Sequence, residues 1–266
     1  MTLGDRTNRE PSFGLRPLSP ASVRSMVAAL LIATPLLTSP PIKATSVVAL
    51  FDRSKNRLVI ATDCLVHRTS GITKRCKVID MPGCFVAMAG LYEEPVTGFH
   101  LHEAARAACQ ANGSLRDKAE AFLRISHEPY RRALMSLRKN QHGRSSPGLE
   151  TERIEAVFAG LQDGQLALIV RGLAAAPDGN VLVERFESSA PTYQRIGFFL
   201  GLNKHIRSYI RAHPDWHQQD FAELASRLVQ MEIDAHPKLA GPPISEFEVD
   251  QDGNGHWLAP GVCYPE

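Results

Sequence analysis

Thr45-Ser-Val-Val-Ala-Leu-Phe51, Asp52-Arg-Ser-Lys-Asn56 and Leu58-Val-Ile-Ala-Thr-Asp63 together form the stretch whose reading decides the fold. The two outer runs are aliphatic and β-branched, and the five residues between them are turn formers, so the stretch reads as a β-hairpin. A second strand pair follows, Lys77–Ile79 with Cys84–Ala89, folded about Pro82-Gly83. Beyond it the period changes. Phe99, Ala104, Ala108 and Ala111 recur at helical spacing over 97–111, and Asn112-Gly113-Ser114 ends that helix. Ser114, with Asp117 three residues on, caps a second helix that runs to about Lys139 and carries Pro129 as a kink. A polar loop occupies 140–150.

Strands then resume. Ile154–Gly160 and Leu166–Val170 flank Asp163-Gly164, a strong hairpin signal. Val181–Phe186 follows the turn at Pro177–Asn180, and Thr192–Leu200 is again strand-like. Lys204–His213 and Phe221–Ala235 read as helices, and Glu246–Val249 with His256–Leu258 close the chain as a last hairpin about Asp252-Gly253. Helices in sequential pairs between sets of antiparallel strands predict a layered α+β sandwich, not the alternating βαβ of a dinucleotide-binding fold. No G-x-G-x-x-G, P-loop, H-E-x-x-H or G-x-S-x-G occurs, nor any internal repeat.

The chain ahead of Thr45 has another character. Residues 1–23 are rich in Pro, Ser, Gly and Arg, and Arg24 precedes a twelve-residue apolar run, Met26–Leu37. Twelve residues with Pro35 among them are short for a membrane span but suit the apolar core of a signal peptide. Ala44 is small enough to precede a signal-peptidase cut. The expected division is a leader over 1–44 and a domain over 45–266, exported to a periplasm or the medium. The alternative is a protein anchored to the membrane by an uncleaved leader, and in either case the membrane is met only through that segment.

The whole chain, 266 residues with 44% apolar, is long enough for one well-packed domain behind a leader. Its formal charge is +2, but the leader's five basic and two acidic residues carry +3, so the remainder stands at −1 and offers no electrostatic footing for nucleic acid. Arg131, Arg132 and Arg138 read as a solvated helix face. The five cysteines, Cys64, Cys76, Cys84, Cys109 and Cys263, include no C-x-x-C, and their odd number leaves at least one free thiol unless chains pair. Export makes disulfides possible. Cys64 and Cys76 bracket a short loop and are the first pair expected. The ten histidines are scattered, and His100 and His102, two apart at a helix start, point to different faces, so no metal and no cofactor is expected.

The order of elements resembles that of proteasome β-subunits and their bacterial relatives, which are N-terminal-nucleophile (Ntn) hydrolases. Three local matches carry the resemblance: Thr45 directly before a β run, Leu58-Val-Ile-Ala-Thr-Asp63, and Cys76-Lys-Val-Ile-Asp80 followed by Val86-Ala-Met-Ala-Gly90. Softer matches are Ala159-Gly160 before its turn and Glu232-Ile-Asp-Ala235. The resemblance spans about 45–258 and implies a four-layer αββα sandwich of two antiparallel sheets flanked by helix pairs. The 32 positions from Thr45 to Lys77 equal the family's separation of nucleophile and lysine. Asp63 falls two positions late, in keeping with a longer turn at Asp52–Asn56; counted without that insertion, Ala44 takes the nucleophile's place.

Carried over residue by residue, the resemblance implies Thr45 as nucleophile and its own α-amine, freed by leader removal, as general base. The reference pKa of such an amine, about 7.7–8.0, suits it to take a proton near neutrality. Lys77 would add positive charge beside that amine, Asp63 would hold Lys77, the Gly90 N–H would meet the oxyanion, and Asp234 would lend support. Taken singly, Asp63 is a strand end, Lys77 a solvated charge and Gly90 a strand terminator; their order carries the weight. The sequence departs from the family in two places. Ile196–Gly201 has Phe199 or Leu200 where the family has a serine, and the Ser-Gly-Gly after the late aspartate is replaced by Pro237–Pro243. The expected activity is hydrolysis of an amide bond in peptides. The alternatives are a non-peptide amidase and a catalytically silent proteasome-like binding or assembly protein. A homo-oligomer is possible on the same resemblance.

Overall fold

The computed structural model describes residues 45–68, 71–140, 153–176, 178–187 and 195–263. The leader, its apolar run, the Ala44–Thr45 cut and the polar loop from 141 onward lie outside the described residues.

The opening hairpin forms as its sequence dictates, with β1 Ser46–Asp52 against β2 Arg57–Asp63, and Val47 opposite Thr62 at its far end. Asn56 turns the chain at φ 44°, a conformation that a short polar side chain tolerates. Next come a small hairpin, β3 Leu65–Arg68 with β4 Gly71–Lys74, and the pair β5 Val78–Met81 and β6 Cys84–Gly90. A two-residue ladder, β7 Glu93–Glu94 with β8 Phe99–His100, leads into α1 Leu101–Gln110 and α2 Leu115–Asn140. The remaining elements are β9 Arg153–Gln162, β10 Gln165–Ala175, β11 Val181–Glu187, β12 Arg195–Gly201, α3 Lys204–Ala212, α4 Phe221–Ala235, β13 Ile244–Val249 and β14 Gly255–Ala259.

The result is an α+β fold with four helices among the described residues and two five-stranded antiparallel sheets. One sheet runs β12-β1-β2-β13-β14 and the other β11-β10-β9-β6-β5. Strand alternation divides the apolar side chains among three clusters. From the first hairpin, Val47, Ala49, Phe51, Leu58 and Ile60 meet Phe85, Ala87, Val157 and Leu168 of the other sheet. Their alternates Val48, Leu50, Val59 and Ala61 pack on Ile206 of α3 and on Phe221, Leu224 and Leu228 of α4. On the second sheet Val86, Met88, Ala156 and Phe158 face the other way, onto Ala105 of α1 and Phe122 and Tyr130 of α2. β1 is therefore buried along its whole length, which is why its sequence is an unbroken apolar run and not an alternating one.

Two local expectations change. The first helix starts at Leu101, not at 97, because Phe99 and His100 are already paired to Glu94 and Glu93. The β3–β4 hairpin lies where no strand was expected. The cap of α2 holds: Asp117 Oδ2 accepts from the Ser114 N–H at 2.8 Å, and the Asp117 N–H donates to Ser114 Oγ at 3.3 Å. Pro129 sits inside α2 as expected. Among the described residues, no helix is long and apolar enough to cross a membrane.

Candidate active site

Asp63 ends β2 and gathers four donors. Its Oδ1 accepts from the Ser46 N–H and from Lys77 Nζ, each at 2.8 Å. Its Oδ2 accepts from the N–H groups of Leu65 at 3.0 Å and Gly241 at 3.2 Å. One carboxylate thus ties together the start of β1, the start of β3, the lysine ahead of β5 and the segment after α4. The topology explains the meeting: antiparallel β1 and β2 bring Ser46 alongside the end of β2, while β13 pairs Ile244 with Asp63 from the other side.

Lys77 is wholly buried, as is Asp63. Removing an ammonium from water disfavours its charged form, so burial lowers the Lys77 pKa while the ion pair with Asp63 pulls against that shift. Lys77 and the Thr45–Ser46 peptide share one acceptor atom. Thr45 itself is 4% exposed, and its carbonyl accepts from the Leu202 N–H at 2.7 Å.

Two glycines make this corner possible. Gly201, opposite Ser46 in the β1–β12 register, has φ 68°, and a Cβ there would collide with the Thr45 carbonyl oxygen and press on Ala89. Gly90, the residue after Ala89, has φ 107°, and a Cβ there would collide with the Arg153 carbonyl. The end of β6 therefore lies against the segment that holds Thr45. Asp63, Lys77 and the peptide after Thr45 thus meet through hydrogen bonds, while Gly90 is placed only through its neighbour Ala89, which lies against Gly201.

Among the described residues, Asp234 joins them through no hydrogen bond. It is exposed on α4 and accepts from Gln230 Nε2 at 2.7 Å. The support expected of it comes from Gly241, seven residues later, through its bond to Asp63. At the positions where the family has its serine, Leu200 enters the cluster between the sheets and Phe199 packs toward the helices, and the two residues that follow, Gly201 and Leu202, run beside Thr45.

Sequence reasoning missed Glu155. It lies on β9 opposite Ala89, 8% exposed, and its Oε2 accepts from the Gly201 N–H at 3.0 Å. Desolvation raises its pKa, with the Gly201 bond acting the other way. Its only sequence signal is an acid at an inward position of an otherwise apolar strand.

The cysteines pair differently from the expectation. Disulfides join Cys76 to Cys263 and Cys84 to Cys109, and Cys64 is a buried free thiol. The loop that a Cys64–Cys76 bridge was to close is closed by backbone pairing, with the Arg75 N–H donating to the Cys64 carbonyl at 2.8 Å. Cys64 Sγ instead lies 3.1 Å from Ser245 Oγ on β13. The Cys76–Cys263 bridge anchors the residue immediately before Lys77. The chain matches no protein-family model, and no curated protein is significantly similar to it.

Proposed function

We propose that residues 45–266 form a four-layer αββα Ntn-hydrolase domain similar to proteasome β-subunits, and that the mature protein is an exported threonine hydrolase of amide bonds. In this reading removal of 1–44 frees the Thr45 α-amine. That amine takes the proton of Thr45 Oγ1, directly or through water, as the oxygen attacks the amide carbonyl. The Gly90 N–H stabilises the tetrahedral oxyanion, the proton passes to the departing amine, and water then hydrolyses the Thr45 ester. Lys77, kept charged by Asp63, lowers the pKa of the neighbouring α-amine. The substrate class is peptide, with other amides as the alternative, since the same nucleophile serves both.

One observation carries the reading: a lysine entirely out of water, paired to an aspartate that also binds the peptide following Thr45. A purely structural role gives no reason to bury a lysine at this cost next to a threonine at a strand start. The two disulfides support export, because such bonds persist in oxidising compartments. The experiment is Edman sequencing or intact mass of the secreted protein, with an amide-substrate panel on wild type and Thr45→Ala. A mature start at Thr45 and turnover abolished by Thr45→Ala are expected. Residues left ahead of Thr45, or full activity in Thr45→Ala, would sink the mechanism.

The silent binding or assembly reading is favoured by two observations. The backbone N–H of Leu202, an apolar residue, bonds the Thr45 carbonyl, and Asp234 is exposed on α4, where it bonds Gln230. It predicts a chain that folds and retains its leader-proximal residues, with no turnover on any amide.

A further inference from the structure

A second cluster lies one step behind this site. Glu232 on α4 is wholly buried, and its Oε1 accepts from the N–H groups of His205 at 2.7 Å and Ile206 at 3.0 Å, in the first turn of α3. Its Oε2 faces two imidazoles, with His205 Nδ1 at 3.1 Å and His236 Nε2 at 3.8 Å. The three side-chain atoms all lie within 4.8 Å of one another. We propose that His205, Glu232 and His236 bind a divalent zinc-type ion.

The geometry suits such an ion. Ligands about 2.0–2.1 Å from a tetrahedral centre stand about 3.3 Å apart, so small side-chain adjustments would admit it. The ligand types, two imidazoles and a carboxylate, are those of a three-protein-ligand zinc site. The two histidine side chains are 41% and 32% exposed, which leaves the outer face open for a solvent ligand. The two backbone bonds at Oε1 fix the carboxylate from behind, the role that outer partners play around metal ligands. The spacing Glu232–His236 puts two of the ligands on one helix face, and only the fold brings His205 to them.

The ion would pin the start of α3 to the end of α4. Leu202, three residues before His205, binds the Thr45 carbonyl, and Gly241, five residues after His236, binds Asp63. The proposal stands independently of the hydrolase reading, since it concerns metal binding and fold stability.

The test uses the tag-free full chain, stripped with a chelator and titrated with Zn2+ by calorimetry and with Co2+ by visible absorption. Expected are one equivalent of Zn2+ with Kd below about 10 µM, a ligand-field band of four-coordinate Co2+, and a Zn2+-dependent rise in Tm. His205→Ala and His236→Ala should each weaken binding at least about tenfold, while His100→Ala leaves it unchanged. No saturable one-equivalent binding by wild type, or equal binding by all three variants, would overturn the proposal. The wild-type Co2+ spectrum decides the matter even where a histidine variant does not fold.

Discussion

Lys77 and Arg171 are both removed from water, at 0% and 1% exposure, but their surroundings differ. Arg171, on β10, meets Glu120 of α2 at 2.8 Å through Nε and Glu187 of β11 through Nη2, and its Nη1 donates to the carbonyls of Val170 and Phe186. Its guanidinium fork meets four acceptors, and it fastens α2 to two strands. Among the described residues Lys77 has a single carboxylate, whose nearer oxygen it shares with the Ser46 N–H, and burial lowers its pKa. A buried cation with several partners from different elements reads as architecture. The lysine with one carboxylate, paired where the peptide after Thr45 also binds, is the feature on which the proposed hydrolase rests.

The contrast predicts its largest effect in activity. Lys77→Met should lower amide turnover by about 10²–10⁴-fold, the range for losing a group that tunes proton transfer. Arg171→Met should lower it only in proportion to the fraction unfolded. Turnover per folded molecule, normalised by near-UV circular dichroism, is the measurement. Equal losses in the two variants would erase the distinction.

Stability comes next in size. Lys77→Met leaves Asp63 as a buried carboxylate without its cation, which should cost about 3–5 kcal/mol in denaturant unfolding. Adding Asp63→Asn should recover a large part, because the orphaned charge disappears. A double variant no more stable than Lys77→Met would mean that Asp63 is held by its backbone donors and not by Lys77.

pH separates the two cations further. A lysine whose folded pKa is lowered has released its proton while the unfolded chain still holds one. Between the lowered value and the ordinary one the unfolded state binds more protons, so this group makes stability rise with pH. In the proposed mechanism activity needs the charged ammonium, so it should fall over the same rise. Around Arg171 the carboxylates act on the acid side: Glu187 is held below its ordinary value chiefly by its bond to Arg171, and Glu120 chiefly by Arg185. The stability they add is present above their unfolded pKa and is lost as pH falls through the depressed folded values. Unfolding of wild type and of the Lys77→Met, Asp63→Asn double variant, at stepped pH beside a rate profile, tests this. Stability and activity changing in the same direction through the alkaline range would contradict it.

The legible parts of the molecule are those in which local chemistry and tertiary packing agree. The Ser46–Asp63 hairpin, the Ser114–Asp117 cap and the span of α4 follow from turn residues, capping and periodicity, which act within a few residues. Asp63 and Lys77 were found through the spacing of a family resemblance, and the fold joins them in an ion pair. What depended on distant chain was not legible. Cys263 reaches Cys76 only once β13 pairs with β2, across a separation of 187 residues. That the Leu202 N–H meets Thr45 was not legible either, because strand register, invisible in composition, decides which residue meets which. The helical spacing of Glu232 and His236 was visible, but His205 stands a helix away.

The smallest effect tests how far the network around Arg171 tolerates loss. Glu120 has two arginine partners and a side chain 30% exposed, so water screens its charge. Glu120→Gln keeps the volume and an acceptor oxygen, and Arg171 still has Glu187 and two backbone carbonyls. The expected cost is about 1 kcal/mol or less, measured as a shift in denaturation midpoint at constant m-value. Asp63→Asn makes the same isosteric change but takes away the one carboxylate paired with a buried lysine, at about 3–5 kcal/mol. The comparison therefore turns on redundancy: four acceptors around one cation make any single one dispensable, and one carboxylate beside the other is not. A loss above about 3 kcal/mol for Glu120→Gln would show that the arginine network is as dependent on one partner as the lysine pair.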